Sequence, residues 1–156
     1  MTEPTPNRHT IWIDGDGAPG AVKDIVFKAS QRTRIPVRLV ANRWQQTPQF
    51  RWIQSVVVEG GLDVADDYIA EHCEPNDLVI TSDIPLAARV IETGALVIRF
   101  RGESLDATNV HQRLQVRDFM DDLRGSGVQT GGPPPYGPKD RQRFANALDK
   151  WLAKRR

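Results

Sequence analysis

Five aspartates carry the chemistry open to this sequence. Asp14 and Asp16 stand one residue apart in IWIDGDGAPG (11–20), directly after three large apolar residues. Asp63 and Asp66 lie three apart in GLDVADDYI (61–69), and Asp83 follows Thr81 and Ser82 in LVITSDIPLA (78–87). Unpaired carboxylates brought together repel, and some must take up protons unless a cation sits among them. Oxygen donors without histidine or cysteine select a hard ion, Mg²⁺ or Mn²⁺. Such an ion orients water, lowers its pKa and neutralises charge developing on a phosphate ester. The expected chemistry is phosphodiester or phosphate hydrolysis. Asp14, Asp16 and Asp83 are the candidate catalytic residues, and all five aspartates are candidate metal ligands.

The elements that must position these acids alternate. Residues 1–9 are polar with two prolines and read as a loose tail; 10–156 read as one domain. A buried strand at 10–14 leads past Pro19-Gly20 into a helix at 21–32, and VRLVA (37–41) is a second strand. Residues 42–53 show no period and read as a loop; QSVVV (54–58) is a third strand. A helix follows Asp63, a fourth strand covers 78–82, a helix 84–94, and a fifth strand 95–100. A long amphipathic helix is predicted at 106–124 and a last one at 139–154, separated by a Gly/Pro-rich loop at 125–138. This order predicts an α/β three-layer sandwich with a mainly parallel sheet. Sites in such sheets gather at the carboxyl ends of strands. Asp14, Asp16 and Asp83 fall at such ends, and Asp63 and Asp66 open a helix whose i, i+3 spacing shares one face. In a regular strand Asp14 and Asp16 would share a side, and the glycines around them suggest room for backbone near a metal or phosphate.

Bulk properties narrow the partners. Net charge is +1, so no global field draws the chain to nucleic acid or membrane, and any RNA or DNA contact must be local. No apolar run approaches the length of a membrane helix, and the first residues lack a signal core. Cys73 is the only cysteine, which excludes an internal disulfide and a cysteine metal cluster. A cytoplasmic location is the expectation.

Each candidate also has a plainer explanation. Asp63 reads most simply as a helix N-cap, and Asp83 before Ile84-Pro85 as a cap or turn former; one cap does not account for both Asp14 and Asp16. Asn42, at the end of the second strand, could bond a site aspartate or substrate, or form a turn. Thr81 and Ser82 are candidate substrate contacts. Arg99 and Arg101 suit phosphate if the strand order brings them to the acids. Arg117, Arg124 and Arg141 could clamp phosphate but are better read as pairing with Asp118, Asp121, Asp122 and Asp140. Thr130-Gly131-Gly132 could form an anion nest or a plain connector. Trp44, Phe50 and Trp52, interleaved with Arg43 and Arg51, more often cover a core edge than stack on bases.

Family patterns separate the remaining readings. A strand followed by D-x-D resembles the haloacid-dehalogenase phosphotransferases, whose first aspartate is a nucleophile. That pattern also wants a hydroxyl residue at the end of a second strand and a lysine before the last acidic motif. Here the second strand ends in Ala41-Asn42, and no lysine occurs between Lys28 and Lys139. A dinucleotide fold lacks its G-x-G-x-x-G. A fuller match covers almost the whole chain through WIDGDGAP (12–19), LVAN (39–42), GLDVADDYI (61–69), DLVITSDIPLA (77–87), NVHQRL (109–114), RDFMDDLRGSGVQTGGP (117–133) and DRQRFANALDKWL (140–152). On these segments the sequence resembles the uncharacterised bacterial YaiI/YqxD family (UPF0178, DUF188), with a PIN-like domain. The resemblance implies acids at the end of strand one, in a central helix and in a T-x-D motif. Asp14, Asp63 or Asp66, and Thr81 with Asp83 fit those places. It implies metal-dependent cleavage of RNA or DNA. The phosphatase and a non-catalytic nucleic-acid-binding module remain the alternatives. The family's usual D-A-D-A-C-P is changed here: Gly15 and Gly17 replace both alanines and Ala18 the cysteine, which excludes a thiol role at that position. Cys73 is expected to pack within a helix.

Overall fold

The computed structural model describes residues 9–129, 132 and 134–154. The expected tail, apart from His9, and the candidate nest at Thr130-Gly131 lie outside the described residues. Six strands form one sheet: β1 (Ile11–Asp14), β2 (Val37–Ala41), β3 (Ile53–Val57), β4 (Leu78–Ile80), β5 (Leu96–Ile98) and β6 (Ser104–Leu105). Their spatial order is β3-β2-β1-β4-β5-β6. The first five are parallel, and β6 returns antiparallel beside β5.

Five helices cover the two faces: α1 (Gly20–Thr33), α2 (Val64–His72), α3 (Ile84–Glu92), α4 (Val110–Gly125) and α5 (Pro138–Ala153). The pleat decides which residue faces which layer. Ile11 and Ile13 point into one core with Leu39, Ile80 and Ile98, closed by α1 and α5 through Val22, Val26, Phe144 and Leu148. Trp12 points into the other core with Val40, Val79 and Val97, closed by α2, α3 and the first residue of α4. Burial on both faces explains why these strands read as continuous apolar runs. The result is the expected α/β three-layer sandwich.

Beyond shifts of one or two residues at element ends, three features differ from expectation. β6 is a two-residue strand, too short to leave a periodic signal. α4 begins at Val110 because Asp106 first closes a turn, accepting from Thr108 N at 2.8 Å and Thr108 Oγ1 at 2.5 Å. Cys73 is not inside α2; it is the buried C-cap residue. Among the described residues no helix is long and apolar enough to cross a membrane.

Candidate functional site

Chain order runs outward from β1 through β2 to β3, then crosses to β4 on the other side of β1. The β1/β4 boundary is therefore a topological switch point, where parallel sheets open a crevice at their carboxyl ends. Asp14 ends β1 there. Thr81, fully buried just past β4, donates from Oγ1 to Asp14 Oδ2 at 2.9 Å. The same Oγ1 accepts from Asp83 N at 3.1 Å. One hydroxyl thus ties the two acidic segments together. Thr81 is a positioning residue and, being buried, cannot be the substrate contact expected of it.

Asp83 is the N-cap of α3, with Oδ1 accepting from Leu86 N at 3.0 Å. The capping role expected for it is real, and it fixes one oxygen. The Asp83 carboxylate approaches Asp66, in the first turn of α2, closely enough for the two to interact. Two carboxylates brought together repel, which favours a proton on one of them. Asp66 is accordingly raised to about 7, by burial first, then by the charges of Asp83 and Asp14, by its side-chain contact with Asp83, and by Asp63. Asp14 is also raised, chiefly by burial and then by the charges of Asp83 and Asp16, against the opposing Thr81 hydrogen bond.

Asp63 holds the N-cap position of α2 but makes no capping bond, and its backbone is left-handed, with φ of 64°. The capping explanation for Asp63 therefore fails. Its exposed carboxylate adds to the charge around Asp66.

Asp16 departs from the pair. β1 stops at Asp14, so the two carboxylates do not follow strand alternation. Asp16 turns toward β2, where both its oxygens accept from Asn42 N at 3.0 and 3.1 Å. Asn42 does bond a site aspartate, through its backbone rather than its side chain. Gly15 has a packing cause: a Cβ there would lie 2.7 Å from Leu39 Cδ1 and 3.0 Å from Val40 O. Room for a ligand does not explain it. Gly17 is open, with only Phe100 near, at 3.9 Å.

The strand order also brings Arg99, just past β5, beside the β4 segment; Phe100 N donates to Ser82 Oγ at 3.2 Å. A groove of about 440 Å³ opens against Asp83, walled by Ser82, Asp83 and Arg99 on one side and Arg113, Val116 and Arg117 of α4 on the other. Arg99 and Arg113 both grip Glu103, Arg99 Nη1 at 2.9 Å from Oε1 and Arg113 Nε at 2.6 Å from Oε2. Against the upward pull of burial, these bonds hold Glu103 below the usual carboxylate range. Arg101 pairs with Asp140 at 3.0 Å, the partner expected for the C-terminal arginines. Arg117 pairs with Asp118 and Asp121, at 3.2 and 3.3 Å, while still lining the groove. Arg124 pairs with Asp121 at the end of α4 and lines none of this groove. Arg113 was not singled out from the sequence, although its i, i+4 spacing to Arg117 placed both on one face.

Trp44 is exposed, while Phe50 packs on Trp52, 5.1 Å between ring centres, and Trp52 Nε1 donates to Ser30 O at 3.0 Å. Trp52 covers a core edge, away from the acids.

Among the described residues no three His, Cys, Asp or Glu side chains are spaced to hold a metal ion. The donor chemistry suits Mg²⁺ or Mn²⁺, but what meets is a pair, Asp66 with Asp83, with Asp14 behind it. Mg²⁺ is commonly held by one or two carboxylates with water and substrate phosphate completing its shell.

Comparison with known proteins places the chain. The model of the family described as "Uncharacterized BCR, YaiI/YqxD family" (DUF188) matches residues 12–154. The chain belongs to the YaiI/YqxD family. Within it, the chain is 51% identical over 146 residues to a UPF0178 protein of Shewanella baltica strain OS155, covering 94% of this chain and 97% of that one. It is 50% identical over 149 residues to a UPF0178 protein of Xanthomonas campestris pv. campestris strain 8004, covering 96% and 93%. No solved structure matches it.

Proposed function

We propose that this YaiI/YqxD-family chain is a cytoplasmic, PIN-like nuclease that hydrolyses RNA or DNA phosphodiesters with Mg²⁺ or Mn²⁺. The observation that carries this reading is the approach of Asp66 to Asp83 at the switch point, where burial first and then the charges of Asp83 and Asp14 raise Asp66 to about 7. Evolved sites spend folding energy on such repulsion where a ligand relieves it. Asp66 and Asp83 would hold the ion, with water and substrate phosphate completing its shell and Asp14 adding negative charge beside it; the ion when bound supplies charge neutralisation and water activation. Thr81 keeps Asp14 and Asp83 in register. Asp16, held against Asn42 N, borders the crevice from the β2 side. Arg99, beside Asp83, and Arg117, on the facing wall, offer guanidinium groups to the phosphates.

The phosphatase alternative gains one feature: Thr81 gives Asp14 a hydroxyl partner, although from β4 and not β2. One assay separates the readings. Single-stranded RNA, single-stranded DNA and p-nitrophenyl phosphate are offered to wild type and Asp14→Asn, with Mn²⁺ and with EDTA. Polymer cleavage that needs Mn²⁺ and disappears in Asp14→Asn is expected. Hydrolysis of the small ester alone would favour an Asp14 nucleophile. Binding without turnover would favour a non-catalytic module. Cleavage that survives in the variant would sink the assignment of Asp14.

A further inference from the structure

The groove beside Asp83 does not end at the acids. A second groove, of about 530 Å³, opens on the far side of Ser82 and Arg99, walled by Gly17, Phe100, Arg101 and Tyr136. Ser82 and Arg99 line both. Asp83 stands in the wall of the first groove, and Gly17, next to Asp16, in the wall of the second. The two grooves therefore meet at Ser82 and Arg99, directly beside Asp83.

Each arm carries cations: Arg113 and Arg117 in the first, Arg101 in the second, Arg99 in both. The second arm also presents the rings of Phe100 and Tyr136, and Tyr136 OH donates to Phe100 O at 3.0 Å, fixing its ring. Guanidinium groups with interleaved aromatic rings suit a single strand, whose phosphates and unstacked bases are both accessible. Each arm has the size of a small-ligand cleft, about 300–1,000 Å³, which admits a nucleotide or two and not a duplex.

Two details mark the junction as an anion site. Arg99 Nε is buried and has no hydrogen-bond partner among the described residues. Glu103 lies between Arg99 and Arg113 and engages both, as a phosphate would. Glu103 also lines the second groove.

We propose that the two grooves form one track for an unbroken single polynucleotide strand, running past the acids with phosphates held on both sides. Glu103 keeps the place of one of those phosphates until the strand displaces it. The proposal rests on the phosphodiester reading and adds to it that the strand is engaged internally, not from an end.

The test is binding, read apart from cleavage. A fluorescein-labelled oligouridylate of about twelve residues, within the span of single-strand sites, is titrated with protein in Mg²⁺ and followed by anisotropy. Unlabelled linear, circular and duplex RNA compete. The circle is expected to compete as well as the linear strand, and the duplex at least about tenfold worse. Arg101→Gln and Arg117→Gln, one in each arm, should each weaken binding by about threefold or more. Glu103→Gln should tighten it by a similar factor, a gain that misfolding cannot produce. A circle that fails to compete, or a Glu103→Gln that binds no tighter, overturns the track. Cleavage with Mn²⁺ is scored separately. Binding of circles without cleavage would sink the hydrolysis reading and leave the track standing. Cleavage of linear strands from an end, with circles neither bound nor cut, would do the reverse.

Discussion

At the scale of single residues, the site is a set of carboxylates kept together against their own repulsion. Asp66 shows the cost most directly. Its folded value of about 7 lies above the ordinary value near 4. An acid raised on folding binds its proton more tightly in the native state. Its contribution is therefore most favourable below about pH 4 and is lost as pH rises through about 7. Asp14 is shifted in the same direction. Asp66→Asn is expected to raise Tm at pH 8 and to leave it almost unchanged near pH 4, as differential scanning calorimetry would show. A Tm lowered at pH 8 would mean that Asp66 makes contacts worth more than its repulsion costs. Mg²⁺ should act in the same direction on wild type. On the metal-site proposal it would displace the proton that the Asp66–Asp83 pair favours, so Tm at pH 8 should rise with Mg²⁺ in wild type and respond little in Asp66→Asn. Isothermal titration in two buffers of different ionisation heat would register the released proton near pH 7. Heat independent of buffer would count against Asp66 as a ligand.

At the scale of elements, α3 joins stability to chemistry through Asp83, which both caps the helix and meets Asp66. Serine caps a helix about as well as aspartate but carries no charge. Asp83→Ser should therefore retain the cap and Asp83→Ala should lose it. The two variants should differ by about 1 kcal/mol, or roughly 2–4 °C in Tm for a chain of this size. Both should lose Mn²⁺-dependent cleavage. If Asp83→Ser remains active, the capping role is the whole role. Elements of this kind were readable in advance where local pattern and burial agree. VRLVA is buried at every position but Arg38 and is β2, residue for residue. β6 was invisible because two residues have no period. α4 was placed early because Asp106 and Asn109 prefer to bond nearby backbone, a competition that apolar spacing does not register. The site divided in the same way. The convergence of Asp14, Asp66 and Asp83 follows from their positions at strand and helix ends. The divergence of Asp16 does not, because it depends on where β1 stops and on the Asn42 N–H just past β2, which Asp16 satisfies. The Glu103 bridge was hidden for a related reason. It joins Arg99, just past β5, to Arg113 of α4 through the tight return into β6, a turn that apolar spacing does not reveal.

At the scale of the whole molecule, the two edges of the sheet do different work. The carboxyl edge holds Asp14, Asp66 and Asp83 in mutual repulsion. The amino edge holds another buried carboxylate, Asp77, 4% exposed just before β4, in full satisfaction. Asp77 Oδ1 accepts from Thr10 N at 2.9 Å; Oδ2 accepts from Trp12 Nε1 at 3.0 Å and Glu74 N at 2.9 Å. It clamps the start of β1 to the start of β4, the same two strands whose far ends carry the acids. Removing one partner of a buried hydrogen bond costs about 1–3 kcal/mol because the other stays desolvated. Asp77→Ala strands three donors at once and should cost roughly 3 kcal/mol or more, a fall of about 6–12 °C in Tm. The fold's two ends then predict opposite outcomes for similar substitutions. Asp77→Ala should lose stability while retaining strand binding and cleavage per folded molecule, measured well below its Tm. Asp14→Asn and Asp66→Asn should lose cleavage while holding or gaining stability at pH 8. A carboxyl-edge variant that loses Tm as Asp77→Ala does would show that those acids serve the fold. The crossed pattern would show that the amino edge supplies stability and the carboxyl edge uses some of it to keep three acids facing one crevice.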